Sequence, residues 1–197
     1  MAGTDNATPS NNASLFGKNE VLDIRFPGSG LSINGTLVRQ STLADAALIK
    51  IESPQALTPI EIASSEDNLK VGERVIVLGY PGVSPDTILQ QNSTERGQVK
   101  ERKEVIPEPT VTEGIISKLG TELTQTGGSV VRGTFGDAFQ LSINSTGGGN
   151  SGGPVFNAQG KAIGLFTYTD SNSGAYVSYG VPIKHGRFLL TPQRTAQ

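Results

Sequence analysis

Apolar and polar residues alternate with a period of two along most of this chain. In Val21–Phe26 (VLDIRF), Leu22, Ile24 and Phe26 fall on one face and Asp23 and Arg25 on the other, the pattern of a half-buried strand. Pro27–Gly30 (PGSG) reads as a turn, Leu31–Val38 (LSINGTLV) as the return strand, and Ala46–Ile51 (AALIKI) as a further strand. Lys70–Glu73 (KVGE) is a turn ahead of Arg74–Gly82 (RVIVLGYPG), a buried strand that ends in a Gly/Pro loop. Glu113–Gly120 and Ser129–Gly133 predict a hairpin, Phe139–Ile143 (FQLSI) alternates again, and Pro154–Thr169 reads as strand, turn, strand. Ala175–Ile183 is the last strand, and only Lys184–Leu190 (KHGRFLL) suits a short helix. Many short strands between turn signals, with no internal repeat, predict an all-β antiparallel barrel or sandwich.

Two stretches break the rhythm. Residues 1–18 are polar and read as a flexible lead-in; Met1–Asn12 carries neither a basic start nor an apolar run, so it is not expected to be a signal peptide. Ser84–Pro109 is dense in both signs of charge and bounded by prolines, which predicts a long surface loop or a β-ribbon.

Composition narrows the chemistry. A chain of 197 residues can bury a sizeable core in one large or two small domains. A net charge of -2 gives no general pull toward nucleic acid or an anionic membrane, and no stretch approaches the roughly 18 apolar residues of a spanning helix. With no cysteine, disulfides, thiolate nucleophiles and zinc–thiolate sites are excluded. His185 is the only histidine, so a multi-histidine metal site is excluded too. The acidic residues are scattered without a calcium-loop pattern, and neither metal nor organic cofactor is expected.

The segment richest in chemistry is Thr146–Phe156 (TGGGNSGGPVF). Glycines around a serine free the backbone to aim N–H groups the same way. Amides of Gly149 and Ser151 converging on one point would form an anion pocket beside the Ser151 hydroxyl, which suits acyl transfer through a tetrahedral oxyanion. The same letters also fit a glycine-rich hairpin loop with an incidental serine. G-x-S-x-G, followed by Asp170 and His185, matches the chain order of α/β-hydrolases, but Pro154 opposes the helix that such an elbow requires.

Gly149–Pro154 (GNSGGP), with the strand and turn that follow, resembles the nucleophile region of chymotrypsin-fold (trypsin-like) serine peptidases of the bacterial high-temperature-requirement-like branch. Leu43–Ser53 (LADAALIKIES) is similar to that family's catalytic-aspartate strand, Val71–Gly82 to the strand and loop linking its two barrels, Pro109–Gly120 to the first hairpin of its second barrel, and Tyr179–Ile183 to its closing strand. The resemblance spans roughly residues 20–190.

It implies two six-stranded antiparallel β-barrels, the first of them incomplete here, and a short C-terminal helix. The implied layout is a lead-in over 1–18, a partial N-terminal barrel over 19–80 carrying Asp45, a linker and charged loop over 81–110, and a C-terminal barrel over 111–190 carrying Ser151. The implied function is serine endopeptidase. Ser151 is the nucleophile, Asp45 the catalytic carboxylate, and the Gly149 and Ser151 amides the oxyanion hole. Ser145, Leu165, Phe166 and Thr167 line the substrate pocket, with no acidic residue to hold a basic side chain. In this family the catalytic histidine precedes the aspartate on a T-A-x-H-like segment, and Thr8–Ser14 offers none. His185 falls where the family has its C-terminal helix, away from the cleft. The chain as it stands is therefore expected to be essentially inactive alone. The alternative is a pseudo-peptidase that binds peptides or proteins. Polypeptide substrates are the expected partners, with no nucleic acid and no membrane segment. A histidine-bearing N-terminal segment or a second copy of the chain is expected to cover the incomplete barrel. The family implies a periplasmic or secreted location.

Overall fold

The computed structural model describes residues 22–28, 31–41, 44–64, 69–82, 84, 87–95, 98–106, 108–122, 137–143, 148–172 and 175–191. The expected lead-in and the hairpin strand at Ser129–Gly133 lie outside these residues. No described helix is long and apolar enough to cross a membrane.

The first three strands, β1 (Leu22–Arg25), β2 (Ser32–Gln40) and β3 (Ala47–Ile51), pair antiparallel in chain order. Their register sets Leu22 opposite Gly35, Ile24 opposite Ile33, Gly35 opposite Ile51 and Leu37 opposite Ile49. Period-two alternation therefore collects these apolar side chains on one face. Along β1 and the start of β2 the opposite face is polar. There the Asp23 carboxylate accepts hydrogen bonds from the Ser32 hydroxyl and the Arg25 guanidinium, in that order of influence, which hold it below the usual carboxylate range. None of the six apolar side chains on the first face is fully buried, and Leu37 and Ile49 are 50% and 42% exposed. This is the incomplete unit expected from the sequence.

Beyond it come β4 (Arg74–Gly79), β5 (Thr87–Glu95), β6 (Gln98–Ile106), β7 (Thr110–Glu122), β8 (Asp137–Leu141), β9 (Pro154–Asn157), β10 (Ala162–Asn172), β11 (Ala175–Pro182) and a helix, α1 (Ile183–Leu190). Six of these strands close a barrel in the order β10-β11-β8-β7-β4-β9, every neighbouring pair antiparallel. Closure removes the free edges that the three-stranded sheet retains. The principal core lies inside the barrel, where Val75, Val77, Ile116, Phe139, Leu141, Val155, Ile163 and Phe166 pack together. All-β architecture, one closed barrel, one incomplete sheet and a short C-terminal helix agree with the sequence expectation.

One boundary differs from it. The expected layout places Arg74–Gly79 in the N-terminal half, yet β4 bonds to β7 and β9 and is a barrel strand. Its buried Val75, Val77 and Gly79 face inward while Ile76 and Leu78 are half-covered, so the run reads as continuously apolar with no mark of which half it joins. Within the stretch expected to be a surface loop or a β-ribbon, β5 and β6 form a two-stranded ribbon, with Thr87 opposite Ile106 and Glu95 opposite Gln98. The hydroxyls of Ser84 and Thr110, 3.1 Å apart, close the ribbon's base.

The helix joins the two units. It begins directly after Pro182, whose fixed φ suits a helix start, and carries Arg187 in its last turn, where the helix dipole favours a cation. Arg187 donates to the Ala63 carbonyl (3.2 Å), and Arg39 of β2 donates to the Thr191 carbonyl (2.7 Å) just past the helix end. Leu189 is buried, and α1 packs on β3, β10 and β11.

Candidate active site

The glycine-rich segment lies between β8 and β9, fastened on both sides of Ser151. Ahead of the serine, the Gly148 carbonyl accepts from the Gly82 N–H (2.9 Å) and the Gly149 carbonyl from the Tyr80 N–H (3.2 Å). After it, the Gly152 N–H donates to the Phe166 carbonyl and the Phe166 N–H to the Gly153 carbonyl, each at 2.8 Å. The six residues Gly148–Gly153 are thus hung between the end of β4 and the middle of β10, which leaves the Ser151 side chain exposed on a short, constrained turn. Among the described residues, the main-chain N–H groups of Gly149 and Ser151 donate to no backbone carbonyl. An anion pocket requires main-chain N–H groups left open in this way beside the hydroxyl.

Gly149 has to be glycine. Its φ is 113°, and a Cβ there would lie 1.9 Å from the Tyr80 carbonyl oxygen, which is rigid backbone. Gly152 also has a positive φ, 86°, but a Cβ there meets nothing within 4 Å. Gly149→Ala is therefore expected to displace the loop, with a loss of about 1–3 kcal/mol in urea unfolding from backbone strain alone. Gly152→Ala should keep the Gly149–Tyr80 contact intact. Amide chemical shifts of Tyr80 and Gly82 should move in the first variant and stay in the second.

Asp45 stands on the turn into β3. The Ser41 N–H donates to the Ala46 carbonyl (2.8 Å), and the Ser41 hydroxyl accepts from the Ala44 N–H (3.1 Å), folding the chain tightly around Asp45. Two hydrogen bonds connect this carboxylate to the serine. The Ser151 hydroxyl donates to the Thr167 carbonyl (2.5 Å), and the Thr167 hydroxyl donates to Asp45 Oδ2 (2.6 Å). The turn into β3, strand β10 and the glycine loop thus meet at one point. Thr167 was expected as a pocket wall; its role as the link between Asp45 and Ser151 carries no sequence signal.

A cavity of about 470 Å³ opens beside Ser151. Its walls come from Pro27 after β1, Leu78 and Tyr80 at the end of β4, Pro109 at the foot of the ribbon, and Pro154, with backbone of the glycine loop. Partial burial pushes the Tyr80 phenol up, so its hydroxyl stays neutral. Leu165, Phe166 and Thr167 do not border this cavity: Phe166 is in the barrel core and the Thr167 hydroxyl is bound to Asp45. Ser145 lies outside the described residues. His185 is on α1, half-buried.

Similarity to known proteins agrees with this geometry. The chain is 32% identical over 164 residues to the "Probable periplasmic serine protease do/HhoA-like" of Haemophilus influenzae, covering 82% of this chain and 28% of the relative. It is 31% identical over 157 residues to "Protease Do-like 5, chloroplastic" of Arabidopsis thaliana, covering 78% of this chain and 39% of the relative. The chain thus spans well under half the length of these curated relatives. Among solved structures, that of Deg5 matches with a TM-score of 0.51 and 27% identity, covering 80% of this chain and 59% of that one. A family model described as "Trypsin-like peptidase domain" matches residues 10–165. The chain belongs to the trypsin-like peptidase family.

Proposed function

We propose that this chain carries the nucleophile and the carboxylate of a serine endopeptidase that cuts polypeptides. Ser151 Oγ attacks the scissile carbonyl and forms an acyl-enzyme, while the Gly149 and Ser151 N–H groups hold the oxyanion. Asp45 orients the imidazole that takes the Ser151 proton and returns it to the leaving amine. The observation that carries this reading is the chain of hydrogen bonds from Ser151 through Thr167 to Asp45. The acyl side of the substrate runs along Leu165–Thr167. None of these side chains is acidic, so small or aliphatic residues are preferred there over Lys or Arg.

A peptide boronate tests the nucleophile and the anion pocket without turnover: boron accepts the serine oxygen and becomes tetrahedral as the hydroxyl proton passes to water. The expected result is a tetrahedral boron signal in ¹¹B NMR that is lost in Ser151→Ala and weakened in Gly149→Ala. A signal unchanged by Ser151→Ala overturns the assignment.

The half-exposed apolar face of β1–β3 favours self-association of the isolated chain. Light scattering should show a mass that rises with concentration, and Ile49→Lys should lower it; a monodisperse monomer at high concentration would count against this. The periplasmic description of the Haemophilus influenzae relative supports an extracytoplasmic location. Fractionation of the source cells with the protein in the cytosol would refute it.

A further inference from the structure

Asp45 and Ser151 meet on Thr167, but no group of their own passes a proton between them. Asp45 is exposed on the turn into β3, and among the described residues Thr167 alone bonds to its carboxylate, through Oδ2 (2.6 Å). Ser151 is exposed as well, and its hydroxyl donates to the main chain of the same residue, the Thr167 carbonyl (2.5 Å). A carboxylate turned to solvent and steadied by one hydroxyl can take a further N–H donor on Oδ1. A Lys or Arg side chain would pair with it, yet neither cation has a lone pair with which to take the serine proton. An imidazole does both, because one ring nitrogen donates to the carboxylate while the other accepts from the hydroxyl. The chain's own imidazole, His185, is half-buried on α1 and already engaged there.

Resting on the endopeptidase reading, we propose that the substrate supplies the base: the chain cleaves polypeptides that carry a histidine at one of the last two residues before the scissile bond. Such an imidazole arrives with the bond to be cut, so its concentration at Ser151 is set by the peptide itself and not by the solution. An extended chain advances about 3.3 Å per residue, which keeps a more distant histidine away from the serine. The histidine has to be on the acyl side, because only the acyl half of the substrate stays through both steps. In the first step its Nδ1–H donates to Asp45, and its Nε2 takes the Ser151 proton as Oγ bonds to the scissile carbon. The C–N bond then breaks, and the imidazolium gives that proton to the leaving amine. In the second step water attacks the ester and gives a proton to the same Nε2. The ester bond breaks, and the proton returns to Ser151 Oγ. The acyl side runs along Leu165–Thr167, so the substrate histidine is carried past the residue that both Asp45 and Ser151 touch.

Unstructured peptides of one sequence test this on the unmodified chain. A single histidine is moved along the peptide, glutamine takes its place in the reference, and mass spectrometry locates the cut. The cut should follow the histidine, at one of the two bonds after it. Turnover should exceed that of the glutamine peptide by about 10²-fold or more, the usual share of a positioned general base. It should rise with pH through about 6.5 as the imidazole loses its proton. Methylation of the histidine at Nε2 should bring the rate down to that of glutamine, because the ring then cannot donate to Asp45 and accept from Ser151 together. Asp45→Asn should remove most of the histidine-dependent rate and Ser151→Ala all of it. A histidine-dependent rate that survives Ser151→Ala overturns the proposal, as do histidine peptides cut no faster than the reference. The latter result alongside a Ser151–boronate adduct leaves the peptidase reading standing; without an adduct, both fall.

Discussion

Assayed by itself, this chain will hydrolyse peptides on the order of 10⁶-fold more slowly than a serine peptidase whose imidazole is in place. A hydroxyl is a poor nucleophile at neutral pH, and its proton must leave as the bond to carbon forms. The Ser151 hydroxyl donates to the Thr167 carbonyl, which cannot take a proton, and Asp45 is engaged by the Thr167 hydroxyl rather than by a base. The sole histidine, His185, lies on α1. What remains is the anion pocket and substrate binding, which in triad enzymes leave roughly 10³–10⁴ over the uncatalysed rate. A fluorophosphonate probe should label Ser151 correspondingly slowly, and free imidazole should raise the labelling rate in proportion to its concentration. Rapid, stoichiometric labelling without added imidazole would mean that a base reaches Ser151 within this chain.

The sequence showed the parts of the site that are local and hid those that are not. The glycine loop announces itself because φ of 113° at Gly149 and its contact with Tyr80 leave no other residue possible, and such constraints are written into a few adjacent letters. The strands show for a similar reason: Leu22, Ile24 and Ile33 alternate because one face of β1–β2 is apolar and the other meets water. By contrast, the Thr167–Asp45 bond joins residues 122 positions apart. The cavity is lined both by Pro27, which follows β1, and by Pro109, which precedes β7. Neither leaves a periodicity or a spacing to find. The membership of β4 was hidden because a strand covered on both faces loses its alternation, so Arg74–Gly79 could have belonged to either half.

Phe139→Ala should be the most damaging single change to the fold, at about 3–5 kcal/mol in denaturant unfolding. The ring is only 1% exposed and lies in the middle of the barrel core. Two glycines on the neighbouring strands make room for it: a Cβ on Gly164 of β10 would lie 2.5 Å from its ring, and one on Gly180 of β11 2.6 Å. The backbones of β10 and β11 therefore rest directly against the tip of the ring. With the ring removed they have no small side chain with which to fill the gap, so the cavity term is added to the lost transfer energy. At roughly 2–4 °C per kcal/mol for a chain of this size, a calorimetric Tm should fall by about 6–20 °C. The consequence reaches the site, because β10 carries Thr167 and accepts the Gly152 N–H through Phe166. A barrel that survives the substitution should hold the Ser151 loop less firmly, and formation of the boronate adduct should weaken with it. Gly180→Ala attacks the same contact from the other side by driving a methyl into the ring, and should also destabilise. If Phe139→Ala costs less than about 1 kcal/mol, the ring does not support these strands, and the link from barrel core to serine loop fails with it.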